Sequence, residues 1–327
     1  MNTFGRLFKL SIFGESHGTE IGITLDGVPS GLALNAEDFE ADLSRRRPGA
    51  VGTTSRTEAD VPKIISGCFN GFTTGAPLTL LFENNNTVSK DYESLRKTPR
   101  PGHADFVASK KFRGFEDYRG GGHFSGRLTV LLVAAGVVAK KIIAPMSVGA
   151  TLIEVGGLQD VELGLRRAVE QQDSVGGIVE GIVDNIPVGL GEPFFDSVES
   201  VLAHAIFSIP AIKGVEFGAG FAAAKLFGSQ HNDSIIAADG TTETNHAGGV
   251  VGGISNGNPL KFKVAVKPTS STPALQHSFN LETQQVEPMM VKGRHDLCIA
   301  LRVPVVVEAV TAVVLADLFL VSKSSGC

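Results

Sequence analysis

The chain has 327 residues, 43% of them apolar, which is ample for a large core and excludes a disordered chain. A formal net charge of −5 excludes a general attraction to nucleic acid, so any anion must be recognised by local groups of arginines. Cys68, Cys298 and Cys327 are odd in number and far apart, which argues against a disulfide framework or structural zinc site and for a reducing compartment.

Met1 to Arg6 lacks the basic-then-apolar pattern of a signal peptide. Leu128 to Ile143 is too short to span a bilayer, and Val303 to Val321 carries Glu308 and Asp317. Both are expected as buried helices, and the expected location is the cytoplasm without membrane attachment.

Phe8 to Phe13 and Ile21 to Asp26 read as short strands around Gly14-Glu15-Ser16-His17-Gly18, which places His17 on a tight loop. Asn35 can cap a helix in which Ala36, Phe39 and Leu43 recur at helical spacing, and Arg45-Arg46-Arg47-Pro48-Gly49 ends it. Val61 to Ser66 and Leu78 to Phe82 are expected strands. Polar Glu83 to Arg100 reads as a long surface loop delivering His103 to a site.

Tyr118 to Thr129 draws attention next. Gly120-Gly121-Gly122 can adopt backbone conformations closed to other residues and leads into the helix expected from Leu128, so this turn is read as an anion cradle. Ser147 to Val155 and Gly177 to Val183 are expected strands separated by a helix from Val161 to Gln171. A further helix is expected over Asp196 to Phe207. Gly218-Ala219-Gly220-Phe221-Ala222-Ala223 imitates a dinucleotide fingerprint, but the polar Gly228 to His246 offers no second strand, so a tight structural turn is preferred. Leu260 to Lys267 alternates apolar and polar residues as a half-buried strand. No linker divides the chain, and residues 1–327 are expected to form a single domain.

His17 and His103 lie among glycines on loops, where imidazoles can exchange protons near neutrality. Arg294-His295-Asp296 offers a cation beside a carboxylate. Lys267-Pro268-Thr269-Ser270-Ser271 sets a lysine among three hydroxyls at a strand end, suited to a phosphate. Together these suggest proton transfer on one or more phosphorylated ligands, with no metal-ligand pattern. The H-E-x-x-H, Walker A and G-x-S-x-G signatures are absent.

Gly14 to Gly18, Arg45 to Gly49, Ser66-Gly67 with Thr73-Thr74-Gly75, Arg100-Pro101-Gly102-His103-Ala104-Asp105, Tyr118 to Gly122, Gly248 to Gly257, Lys267 to Ser271 and Arg294 to Asp296 resemble, in this order, the chorismate synthase family. The resemblance runs from the first ten residues to about Leu320. It implies an α+β fold, a β-α-β sandwich of antiparallel sheets with helical layers, assembled as a homotetramer.

The implied activity is a lyase of the shikimate pathway that converts 5-enolpyruvylshikimate 3-phosphate to chorismate and phosphate by 1,4-anti elimination, assisted by reduced FMN. The resemblance implies His17, His103 and Asp296 as catalytic: His17 at the departing phosphate, His103 at the flavin N1 and O2 edge, Asp296 toward flavin N5. It implies Ser16, Arg46 and Arg127 as substrate-binding, with Arg56 as a further phosphate contact. It also implies Ser125, Ala211, Gly252, Lys267, Pro268, Thr269, Ser270, Ser271 and Arg294 as flavin-binding. Reduced flavin would come from another protein, since the match uses the whole length.

Two departures stand out. The family continues Arg-Gly-Gly-Gly with Arg-Ser-Ser-Ala-Arg-Glu-Thr, whereas this chain has His123-Phe124-Ser125-Gly126-Arg127-Leu128-Thr129, and Gly52 stands where a basic residue is frequent. Rival readings of the same residues are a non-catalytic binder of a phosphorylated metabolite or flavin nucleotide, and a metal-dependent phosphohydrolase using His103, Asp105 and Asp296.

Overall fold

The computed structural model describes residues 2–49, 52–54, 58–87, 92, 94–291 and 295–326. Strands β1 (Thr3–Phe4), β2 (Lys9–Gly14) and β3 (Glu20–Asp26) open an antiparallel sheet. In β3 the alternation of Ile21, Ile23 and Leu25 with Glu20, Thr24 and Asp26 buries one face and leaves the other polar. The Asn35 side chain accepts from Asp38 N while the Asp38 carboxylate accepts from Asn35 N, so the next helix starts as a 3-10 turn, Ala36–Phe39, under a capping box. It continues as α1 (Glu40–Arg46), which buries Leu43 and ends where Arg47, the residue before Pro48, turns extended.

Strand β4 (Lys63–Ser66), the small hairpin of β5 (Cys68–Phe69) and β6 (Phe72–Thr73), and β7 (Leu78–Glu83) follow. The first sheet has the order β1-β2-β3-β7-β4, and Ile23 opposite Leu80 sets its register.

After α2 (Asp105–Lys111) comes the apolar run expected from Leu128, which forms α3 (Thr129–Ile143). The second half contains β8 (Ser147–Val155), α4 (Val161–Gln171), β9 (Gly177–Asp184), α5 (Val198–Ile206), β10 (Ile212–Phe217) and the single turn α6 (Gly228–His231). It closes with β11 (Val250–Val251), β12 (Ile254–Ser255), β13 (Leu260–Val266), the hairpin of β14 (Gln276–Asn280) and β15 (Gln285–Met289), and α7 (Val303–Ser325). The second sheet is antiparallel in the order β10-β13-β9-β8.

Helix α3 packs on β3 of the first sheet, α7 packs on β8 and β9 of the second, and the two helices pack on each other. A Cβ on Gly136 would lie 2.4 Å from the Ala309 Cβ, so the close α3–α7 crossing requires glycine there. The result is the sheet–helix–sheet sandwich that the resemblance implied, with one buried apolar cluster running through both sheets and both helices.

The α7 region is long and apolar enough to cross a membrane, but 78% of its most apolar window is buried inside the protein. Its two acids have partners. Arg45 donates both Nη groups to Glu308 at 2.7 and 2.6 Å, and Asp317 accepts from the backbone N–H groups of Arg6, Leu7 and Phe8. Burying these carboxylates is tolerable because each is hydrogen-bonded.

Two expectations change in detail, and the preferred tight turn at Gly218 is found. The helix expected from Asp196 begins at Val198, after a 3-10 turn over Phe194–Asp196. The fingerprint-like Gly218 to Ala223 leads into a 3-10 turn, Gly220–Lys225, where a Gly218 Cβ would lie 2.0 Å from His246 O, so a tight turn is what the glycines serve. The stretch from Glu83 to Arg100 contains a 3-10 turn, Ser94–Arg96.

Candidate active site

A cleft of about 550 Å³ opens where the C-terminal end of α1, the glycine turn, the segment after β13 and the start of α7 converge. Of the residues implied by the sequence, Arg46, His103, Ser125, Arg127 and Asp296 line it, as do Ala211, Lys267, Thr269, Ser270 and Ser271. Ser16 and His17 are not among the lining residues but lie against Gly120, which is. Pro268 lies between lining neighbours and packs toward Gly176. Gly252 sits in the β11–β12 hairpin and is not among the residues around the cleft. Arg56 and Arg294 lie outside the described residues.

The three glycines of the turn have φ of +61°, +80° and +53°. A Cβ on Gly120 would lie 2.3 Å from His17 Cδ2, one on Gly121 3.6 Å from His103 Cε1, and one on Gly122 1.9 Å from Asp117 O. The turn therefore lets the His17 ring and the Asp117 carbonyl approach the backbone more closely than a Cβ would allow, a steric task beside the anion cradle expected from its composition. Ser16 N donates to Gly122 O at 3.1 Å, and His123 Nδ1 lies 2.8 Å from Gly14 O. A carbonyl only accepts, so that nitrogen of His123 carries its proton. Ser125 caps the following 3-10 turn by accepting from Arg127 N, and Leu128 is buried in the core. Gly52 O accepts from Leu297 N and Cys298 N and so ties the α1 side of the cleft to the approach to α7.

His103 Nδ1 is 2.6 Å from Asp105 Oδ1 and 3.0 Å from Arg100 Nη2. A guanidinium cannot accept, so the Nδ1 proton is directed to the carboxylate, and Nε2 is the nitrogen left for other contacts. Burial pushes the Asp105 carboxyl up, but hydrogen bonds from Arg100 and His103, with their charges, hold it well below the usual carboxylate range. Arg100 binds both Asp105 oxygens at 2.8 Å and donates to Ser271 Oγ at 2.8 Å, linking the His103 loop to the lysine-hydroxyl segment. The His17 ring meets Tyr92 edge to face, with centroids 5.3 Å apart.

Arg46 and Arg127 each grip one oxygen of Asp60, which is buried. Arg127 also donates through Nε to Asn84 Oδ1 and through Nη2 to Glu83 O, both at 3.0 Å. Arg46 differs: its Nε and Nη1 are buried with no hydrogen-bond partner. Burial and the neighbouring Arg302 and Arg127 cations lower its pKa to about 10 against the opposing pull of Asp60. Burial acts to raise the Asp60 pKa, but the two arginines outweigh it and lower the value. Arg302 approaches both Asp296 oxygens at 3.3 and 3.2 Å, and Asp296 accepts from Thr54 N at 2.9 Å.

At the other end, Lys267 Nζ donates to Ser270 Oγ at 2.6 Å, and Ser270 Oγ donates to Gly102 O at 2.7 Å. Burial and the Lys213 charge lower the Lys267 pKa. Thr269 Oγ1 is buried without a hydrogen-bond partner. The cleft thus has two lining residues, Arg46 and Thr269, that each leave a buried polar group unmatched, which suits one or more anionic ligands. Among the described residues, no group of three or more His, Cys, Asp or Glu side chains is arranged to hold a metal ion.

Sequence reasoning missed Asp60, Asn84, Tyr92 and Arg302 as parts of this site. Asp60 binds arginines 14 residues before and 67 residues after it, and no local pattern announces such a contact. Its left-handed φ of +51° could not be read from its type either.

The profile of the chorismate synthase family matches residues 8–320. The chorismate synthase of Chitinophaga pinensis is 67% identical over 327 residues, covering 100% of this chain and 98% of the relative. That of Dehalococcoides mccartyi is 46% identical over 352 aligned positions, covering 98% and 96%. A crystal structure of chorismate synthase superposes with a TM-score of 0.74 at 25% identity, covering 98% of this chain and 93% of the other. On sequence and architecture together, the chain belongs to the chorismate synthase family.

Proposed function

We propose that the protein is a carbon–oxygen lyase that converts 5-enolpyruvylshikimate 3-phosphate to chorismate and inorganic phosphate. The C–O bond to phosphate and one C–H bond break, a new C=C forms, and a proton and phosphate leave, so there is no net oxidation. Reduced FMN, when bound, supplies electron density to the substrate as the C–O bond breaks and recovers it as the proton departs. The observation that carries this reading is one cleft with unmatched buried donors at Arg46 and Thr269 and a carboxylate-oriented His103 on its wall.

In this reading Arg46 and Arg127 hold the substrate anion, with Ser16 beside the glycine turn, and His17 delivers a proton to the departing phosphate oxygen. His103, oriented by Asp105, holds a proton at the cofactor's N1 and O2 edge. Asp296 receives a proton, and Arg302 keeps its carboxylate turned toward that task. Lys267, Pro268, Thr269, Ser270 and Ser271 would hold the FMN phosphate, with Ser125, Ala211, Gly252 and Arg294 completing the cofactor site. The protein acts as a cytoplasmic homotetramer and takes reduced flavin from another protein.

Anaerobic incubation with substrate and reduced FMN, followed by product analysis, tests this. Chorismate with phosphate is the expected outcome. Phosphate without chorismate would mark a hydrolase, and neither product would mark a binding protein.

A further inference from the structure

We infer that Asp60 is the positioning residue for anion capture, acting through Arg46. This rests on the reading of Arg46 as the contact for the substrate's anionic group. Asp60 spends both carboxylate oxygens on two buried arginines, but the arginines are not equivalent. Every nitrogen of Arg127 already donates once, to Asn84, Asp60 or Glu83. Arg46 has only its Nη2 bond to Asp60, which leaves Nε and Nη1 buried and unmatched.

Leaving donors of a buried cation without acceptors is costly, so the arrangement is complete only when an anion meets them. Among the pairings, Asp60 is shared between Arg46 and Arg127, while Arg302 pairs with Asp296, so Arg46 has only half of one carboxylate. Arg302 Nε donates to Arg46 O at 2.8 Å and so holds the arginine's backbone, which makes Asp60 the group that fixes its guanidinium. Arg127 anchors Asp60 in turn and ties it to the end of β7.

Positioning and simple charge attraction predict opposite effects of neutralising Asp60. By Coulomb attraction alone, neutralising a carboxylate next to an anion site should strengthen anion binding. If Asp60 positions Arg46, Asp60→Asn weakens it. The test is calorimetric titration of inorganic phosphate into the full chain, without flavin or substrate. Asp60→Asn is expected to bind phosphate at least about tenfold more weakly, the scale of one lost charge-assisted hydrogen bond. Asp60→Glu, which restores the charge, is expected to recover part of that loss. Equal or tighter binding by folded Asp60→Asn would overturn the inference.

Should Asp60→Asn fail to fold, wild-type protein still decides the matter. In an NMR titration with phosphate, the Nε–H resonance of Arg46, assigned through Arg46→Lys, is expected to shift more than that of Arg127. Equal shifts, or none, would overturn the inference. Because no turnover is involved, loss of phosphate binding in Asp60→Asn supports the inference even if the wild type makes no chorismate, whereas turnover with unchanged phosphate binding removes only Asp60.

Discussion

At the scale of single residues, the site depends on orientation more than on which groups are present. His103 is useful because Asp105 fixes its Nδ1 proton and Arg100 fixes Asp105. His17→Ala and His103→Ala are each expected to lower turnover by about 10²-fold or more while leaving FMN binding largely intact, which steady-state kinetics and flavin titration measure. Full activity in either variant would remove that histidine from the chemistry. Asp105 also links pH to stability. Its folded-state pKa lies below that of the unfolded chain, so its contribution is present above the unfolded value of about 3.9 and is lost as pH falls below it. The difference in melting temperature between wild type and Asp105→Asn is therefore expected to narrow as pH drops from 7 to below about 4. A difference independent of pH would contradict this account of the carboxylate.

At the scale of elements, the glycine turn joins loops that are distant in sequence. Gly120→Ala places a Cβ against the His17 ring and forces alanine to φ near +61°, at a cost of about 1–2 kcal/mol. Its activity is expected to fall as far as that of His17→Ala while the fold persists by circular dichroism; wild-type activity would show that His17 does not need this approach. Much of the element list was legible in the sequence. The β-branched run of β8 and the Asp160 cap of α4 are local signals, and the observed Ser147–Val155 and Val161–Gln171 coincide with the expected limits. Helix α2 gave no such signal because Ala108 is its sole buried residue, leaving no apolar face to set a period. The β14–β15 hairpin is similarly hard to read, since Gln276, His277, Gln285 and Glu287 obscure its alternation. Within the site, the histidines and the lysine-hydroxyl segment were legible as contiguous motifs, whereas Asp60 and Asn84 belong to contacts that exist only after the chain closes on itself.

At the scale of the molecule, two sheets enclose α3 and α7, and the cleft sits where the ends of these layers meet. The single chain leaves Phe194 85% exposed, Phe195 91%, Phe221 85% and Phe227 77%. For the homotetramer proposed above, analytical ultracentrifugation is expected to find four chains per particle; a stable monomer at micromolar concentration would contradict this. One cleft is proposed to eliminate phosphate without net oxidation. The most direct test is an anaerobic time course with excess substrate and a catalytic amount of reduced FMN, following chorismate, phosphate and the flavin spectrum together. Chorismate and phosphate in equal amounts through many turnovers, with the flavin still reduced at the end, are expected. Phosphate released without chorismate, or one flavin oxidised per product formed, would contradict this reading.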